Sequence, residues 1–165
     1  GLDYLSSRDE VRKDCVIACG NDNAILAAAL HDAVTHVVSQ PAYLFDTLES
    51  AAKSSSYPLE EFNDYLREYP DRKERVEETL EYFNLRWHAQ AVTVPTLLMA
   101  EYENGLYSAG NLTTLVEDIA GEVSIHESER SSYKDGIFLE RWITEKSLGP
   151  SAIPILPTHW TNKSL

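Results

Sequence analysis

The sequence predicts an α/β fold: a partial, mostly parallel sheet of about four strands with flanking helices and a helical insertion. Short β-prone apolar runs alternate with helix-prone segments along the chain. The first two runs have the spacing of a parallel βαβ unit. Between the second and third runs, the stretch from Pro41 to Leu85 shows helical periodicity alone.

The first run, Cys15–Cys19 (CVIAC), lies between Arg12-Lys13-Asp14 and Gly20-Asn21-Asp22-Asn23, and Ala24–Leu30 after it is rich in strong helix formers. The second, Val34–Ser39, follows after only His31-Asp32-Ala33, so the two strands are expected to pair in parallel and to be buried on both faces. In the insertion, Leu59, Phe62, Leu66 and Tyr69 recur at helical spacing, as do Val76, Leu80 and Phe83, with Pro70-Asp71 between the two sets. The sheet resumes at Val94–Tyr102. A helix over Ala109–Ile119, a strand over Glu122–His126 and a closing amphipathic helix over Tyr133–Lys146 follow, with Asp135 as a first-turn acid. From Ser147 onward, Pro150, Pro154 and Pro157 predict an extended tail.

With 165 residues and 43% hydrophobic content the chain suits one compact domain. A formal net charge of −13 argues against nucleic acid and anionic membrane surfaces, which call for clustered Lys and Arg. The longest apolar stretch, Ala24–Leu30, is far short of the roughly 20 residues that cross a bilayer, so a soluble protein is expected. Cys15 and Cys19 on one strand would stand roughly 13 Å apart at Cα. They cannot bridge each other, and a reduced cytoplasmic protein is the simplest expectation. Met99 is the single methionine, which makes a processed or trimmed product, or one piece of a longer chain, the expectation.

Ligands of open parallel sheets sit at the carboxyl ends of the strands, so chemistry is expected at the turn Gly20–Asn23. The segment from Pro58 to Pro95 resembles the helical insertion of the acetyl-xylan-esterase/cephalosporin-C-deacetylase family of carbohydrate esterases. Thr79, Leu80, Tyr82 and Phe83 fit its T-L-x-Y-F stretch. The resemblance extends upstream through Val16-Ile17-Ala18 and Gln40-Pro41 and downstream from Pro95 to His126. It corresponds to about the C-terminal half of the family's domain. It implies an α/β-hydrolase-like body over residues 1–147, with the insertion at about 42–88 and a tail over 148–165, and no cofactor.

The same resemblance assigns the site positions. Asn21 falls where the family carries its nucleophilic serine in a G-x-S-Q-G-G elbow. Asparagine tolerates positive φ, so Asn21 is expected to keep the elbow's shape without its hydroxyl. Asp22 takes the oxyanion-hole position, where its carboxylate would oppose charge developing on the substrate. Asn104 falls at the triad aspartate, with Glu103 as the alternative if the register slips by one. Ser131 falls near the triad histidine, and no histidine lies between His126 and His159. No catalytic set is intact.

Other candidates have plainer readings. Cys19 as a thiolate nucleophile is weighed against a buried, inert strand thiol, and the latter is expected. His31, His36 and His126 lack metal-ligand spacing, and no metal is expected. Asp22, Glu101 and Glu103 could converge as a carboxylate cluster, with Glu101 and Glu103 as candidate binding residues, or could simply be solvated. Glu60, Glu61, Glu68, Glu74, Glu77 and Glu78 are expected to face water.

The expected function is that of a catalytically degenerate hydrolase-like chain, a pseudoenzyme or an oligomerising structural subunit. The alternatives are an acetyl ester hydrolase of acetylated carbohydrates, with a rewired or partner-completed site, and a small-ligand binding module. CVIAC lacks its usual flanking strand and is therefore a sheet edge. A partner is expected there, either a second copy or a chain supplying the missing half.

Overall fold

The computed structural model describes residues 1–157 and 159. They form two compact units, one over Gly1–Glu127 and one over the described residues from Ser128 onward. The first contains α1 (Leu2–Ser6), β1 (Ile17–Gly20), α2 (Asp22–Leu30), β2 (His36–Ser39), α3 (Thr47–Ala52), α4 (Leu59–Glu68), a 3-10 turn (Pro70–Arg72), α5 (Lys73–Glu81), α6 (Leu85–Ala89), β3 (Thr96–Ala100), α7 (Thr113–Asp118) and β4 (Val123–Glu127). The strands form one four-stranded sheet in the order β1-β2-β3-β4, and every pairing is parallel.

The central strands explain why the sheet forms. Val37, Val38, Leu97 and Leu98 are all buried. Neighbouring strand residues point to opposite faces, so burial of consecutive ones means both faces are covered. Val37 and Leu98 join Ile25 of α2, Leu85 and Ala89 of α6 and Leu115 of α7 in one core. The buried hydroxyls of β2 and β3 find partners: Ser39 Oγ donates to the Asn21 carbonyl at 3.0 Å, and Thr96 Oγ1 to the Val94 carbonyl at 3.0 Å.

Several boundaries depart from expectation. Cys15 and Val16 precede β1 rather than forming it, because Thr35 takes both backbone groups of Val16: its Oγ1 accepts from the Val16 N–H at 2.8 Å and its own N–H donates to the Val16 carbonyl at 2.9 Å. β3 stops at Ala100, since Glu101 turns to bridge Ser108. The insertion is helical as expected but is broken into four helices and a turn, with Pro70 opening that turn. On α4, Leu59, Phe62 and Leu66 share the covered face while Glu60, Glu61 and Glu68 are exposed. Phe83, expected on the apolar face with Val76 and Leu80, is instead 49% exposed, because α5 ends at Glu81 and the periodicity ends with it.

Gly121 marks the tightest approach in this unit. A Cβ there would lie 2.5 Å from the Val94 carbonyl oxygen, and its own N–H donates to the Val92 carbonyl at 2.9 Å. Only glycine lets the chain enter β4 this close to the approach to β3.

The second unit is built on α8 (Ser132–Leu148). Asp135 of its first turn accepts from Ser128 Oγ at 2.7 Å and from the Glu129 N–H at 3.1 Å. The helix stops at Gly149, whose φ of 97° suits a residue without Cβ. Residues 152–157 form no helix or strand. Among the described residues no helix is long and apolar enough to cross a membrane.

Leu98 is fully buried on a central strand, so Leu98→Ala should lower unfolding free energy by about 2–5 kcal/mol in urea titrations. A loss below about 1 kcal/mol would contradict its place in the core.

Candidate functional site

The carboxyl edge of the sheet is formed by the residues that follow each strand. After β1, Asn21 has φ −95° and ψ −144°, which is not a left-handed conformation. Among described non-glycine residues positive φ occurs at Asp46 and Arg130. The elbow shape expected of Asn21 is therefore not present. The cause is local: the Asn21 carbonyl accepts from the Ala24 N–H at 3.0 Å and from Ser39 Oγ at 3.0 Å, and the Gln40 N–H reaches the Gly20 carbonyl at 2.9 Å. These bonds carry the chain from strand to helix without a strained turn. Open space surrounds Gly20, so nothing approaches closely enough to require glycine there.

Asp22 opens α2 and is fully buried. Its carboxylate does not lie open on the edge. It accepts from the Ala42 N–H at 3.2 Å and from the Tyr43 N–H at 3.1 Å. Burial pushes the carboxyl above its ordinary value, and the N–H groups of Ala42, Tyr43 and Leu44 pull the other way. The loop it holds runs from β2 to α3 and ends at Asp46, whose φ is 47°. Asn84 braces that residue: Asn84 Oδ1 accepts from the Asp46 N–H at 3.5 Å, and Asn84 Nδ2 donates to Asp46 Oδ1 at 3.3 Å. The sequence analysis missed both residues. The available signal was that Asp tolerates the left-handed region and that Asn before a short helix is a favoured cap.

After β3, Glu101 closes a loop on Tyr107. Its N–H donates to the Tyr107 carbonyl at 2.9 Å, and its Oε2 accepts from the Tyr107 N–H at 3.0 Å. Gly105 leaves room for this, since a Cβ there would collide with the Glu101 side chain. Glu103 and Asn104 are exposed at the loop's tip. Of the two readings weighed for Asp22, Glu101 and Glu103, the carboxylate cluster does not form: the first two carboxylates turn inward to backbone amides, and only Glu103 is in solvent as the plainer reading had it. Among the described residues no three His, Cys, Asp or Glu side chains are grouped to hold a metal.

Asp22 and Glu101 instead share a neighbour. The buried Tyr107 phenol is pushed up to about 12, chiefly by burial and further by the charges of Asp22, Glu101 and Asp46. A cavity of about 90 Å³ lies among Asp46, Ser50 and Tyr107.

Ser131 lies in the second unit and caps α8, its side chain accepting from the Lys134 N–H at 3.4 Å. His31 is 3.0 Å from Asp3, His36 is 2.9 Å from Thr35 Oγ1, and His88 is 2.8 Å from the Tyr82 carbonyl. Cys19, expected to be buried and inert, is exposed, and Cys15 is half-buried. The expectation fails because β1 is the sheet's edge and its last residues are uncovered.

No protein-family model matches the chain, and no curated protein matches it in sequence. Solved structures do. An acetyl xylan esterase from Paenibacillus sp. R4 aligns at TM-score 0.71 and 20% identity, covering 86% of this chain and 48% of its own. Acetyl Xylan Esterase 1 from Thermoanaerobacterium sp. JW/SL YS485 aligns at 0.71 and 19%, covering 88% and 50%. The acylaminoacyl peptidase of Pyrococcus horikoshii aligns at 0.60 and 15%, covering 96% and 28%. The chain has an α/β-hydrolase fold. It spans about half the length of the acetyl xylan esterases it matches, as the resemblance to a half-domain implies.

On this hydrolase scaffold, Glu101 and Glu103 should respond oppositely to truncation. Glu101→Ala leaves the Tyr107 amide without its partner and should cost about 1–3 kcal/mol in urea unfolding. Glu103→Ala should leave the midpoint unchanged, and equal effects would refute the assigned roles.

The Asp22 carboxyl also has a pH signature. Its folded value lies above the ordinary 3.8. The stability it contributes is therefore fully present below that value and lost as pH rises through the folded value. Asp22→Asn cannot lose it. The stability advantage of the parent over this variant should shrink from acid toward neutral pH, and an advantage that grows would show the shift to be downward.

Proposed function

We propose that the chain is a catalytically degenerate α/β-hydrolase-like subunit related to acetyl esterases, which keeps the scaffold and has lost the chemistry. The observation that carries this is the backbone at Asn21: there is no hydroxyl, and the φ of −95° lacks the strained turn that lifts a nucleophile to its substrate. The burial of the Asp22 carboxylate and the helix-capping role of Ser131 support the same reading. The likeness to two acetyl xylan esterases supports descent from a deacetylase rather than another hydrolase class. Its working compartment in this proposal is the cytoplasm, where the Cys15 and Cys19 thiols stay reduced.

A second reading, an acetyl ester hydrolase completed by a partner, is favoured by one observation. β1 lies at the sheet's edge. A second copy, or a chain carrying the other half, would pair there through open backbone groups.

Hydrolysis of p-nitrophenyl acetate separates the two. The purified parent should show no turnover above background. Asn21→Ser should show none either, because its hydroxyl would sit on relaxed backbone without the base that nucleophile activation needs. Turnover by the parent that a serine- or thiol-directed reagent abolishes would overturn the degenerate reading. Activity that appears only in an oligomer seen by light scattering would establish the second.

A further inference from the structure

The loop from Pro41 to Asp46 sorts its backbone groups by side. Its carbonyls are taken by its own insertion: Thr47 Oγ1 donates to the Tyr43 carbonyl at 2.6 Å, the Leu85 N–H to the Leu44 carbonyl at 3.0 Å, and Ser50 Oγ to the Phe45 carbonyl at 3.3 Å. The amides at its start face the other way, while that of Asp46 also goes to the insertion, at Asn84. Those of Ala42 and Tyr43 reach the Asp22 carboxylate at 3.1–3.3 Å, and that of Leu44 points to the same group. Successive N–H groups converging on one point form a nest, a concavity of partial positive charge that accepts anions.

Asp22 is not the only hold on the nest. The carbonyl bonds hold one side of it, and the reciprocal Asp46–Asn84 pair fixes the left-handed residue at its end. We propose that residues 42–44 form a carboxylate-binding cradle at the sheet's carboxyl edge, that Asp22 is its built-in occupant, and that a small free monocarboxylate takes the place when the Asp22 side chain is removed.

The class of ligand follows from the contacts. The cradle offers two to three donors to a planar pair of oxygens, and the space freed by Asp22→Ala is that of one carboxylate group. Formate matches it in shape and charge. Acetate adds a methyl group that a packed interior accommodates poorly. Formamide has nearly the shape of formate without its charge.

The test is thermal unfolding of Asp22→Ala at neutral pH in sodium formate, sodium acetate, formamide and sodium chloride, the salts at equal ionic strength. Formate at roughly five times its dissociation constant should raise Tm by about 2–4 °C over chloride, with a smaller rise for acetate and none for formamide. Parent and Asp22→Asn, whose side chains fill the cradle, should show no formate-specific rise. Equal effects of formate and chloride on the alanine variant, or an equal formate rise in Asp22→Asn, would overturn the proposal. If the alanine variant is unfolded at room temperature, the refolded fraction in formate against chloride serves as the readout, with a gain in formate expected and no difference decisive against it.

Discussion

The bond between the Asp22 carboxylate and the amides of Ala42 and Tyr43 is the contact on which the carboxyl edge depends. A carboxylate withdrawn from water is costly unless donors surround it, and loop amides withdrawn from water are costly unless they find an acceptor. Each answers the other's requirement. Hydrogen bonds to a charged group contribute about 1.5–3 kcal/mol, and removing one partner strands the other. The bond links the start of α2 to the loop that launches the insertion, two segments that only the parallel pairing of β1 with β2 brings together.

Backbone strain has a definite place in this chain, and it is not the place a hydrolase uses. A strained, left-handed nucleophile turn presents a side chain to substrate at the end of a strand. Here Asn21 is not left-handed, and the left-handed residue of the first unit is Asp46, where the loop turns into α3. A sparsely populated conformation of this kind costs on the order of 1–3 kcal/mol and persists only when its surroundings impose it. Asn84 supplies that surrounding from the far end of the insertion, its side chain engaged with both the N–H and the carboxylate of Asp46. The strain therefore closes the insertion upon itself instead of arming a nucleophile.

The sheet was legible because its signals are local. Val34–Ser39 and Val94–Tyr102 are uninterrupted β-prone runs, and the helices between them announce themselves by spacing. The ends of those elements were not, since Thr35 capturing Val16 and Glu101 turning to Tyr107 are choices made by three-dimensional neighbours. At the proposed site, the identity of residue 21 was legible and the surroundings of Asp22 were not. No serine stands at residue 21, and that is plain from one letter. The fate of Asp22 was hidden because its partners are backbone amides twenty residues away, and every residue but proline carries an amide. Cys19 was misread although β1 was expected at the sheet's edge: a cysteine in an apolar strand is usually covered, and the last residues of this strand are not.

Under the proposed loss of the triad histidine, one buried ionisable group is the candidate to replace it. Tyr107 lies among Asp22, Glu101 and Asp46, and its phenol is pushed up to about 12. A general base works best when its pKa lies near the operating pH. A phenol this far above neutrality keeps its proton, and the carboxylates that raise it oppose the phenolate further. Deprotonating it would build a second negative charge beside existing ones at low dielectric. Burial above all, with the inward-turned Asp22 and the Glu101 clasp adding to it, thus makes this phenol unfit for acid-base work. On the degenerate reading proposed above, a return to catalysis would require a nucleophile and a base, and also release of the two carboxylates that now hold the loops.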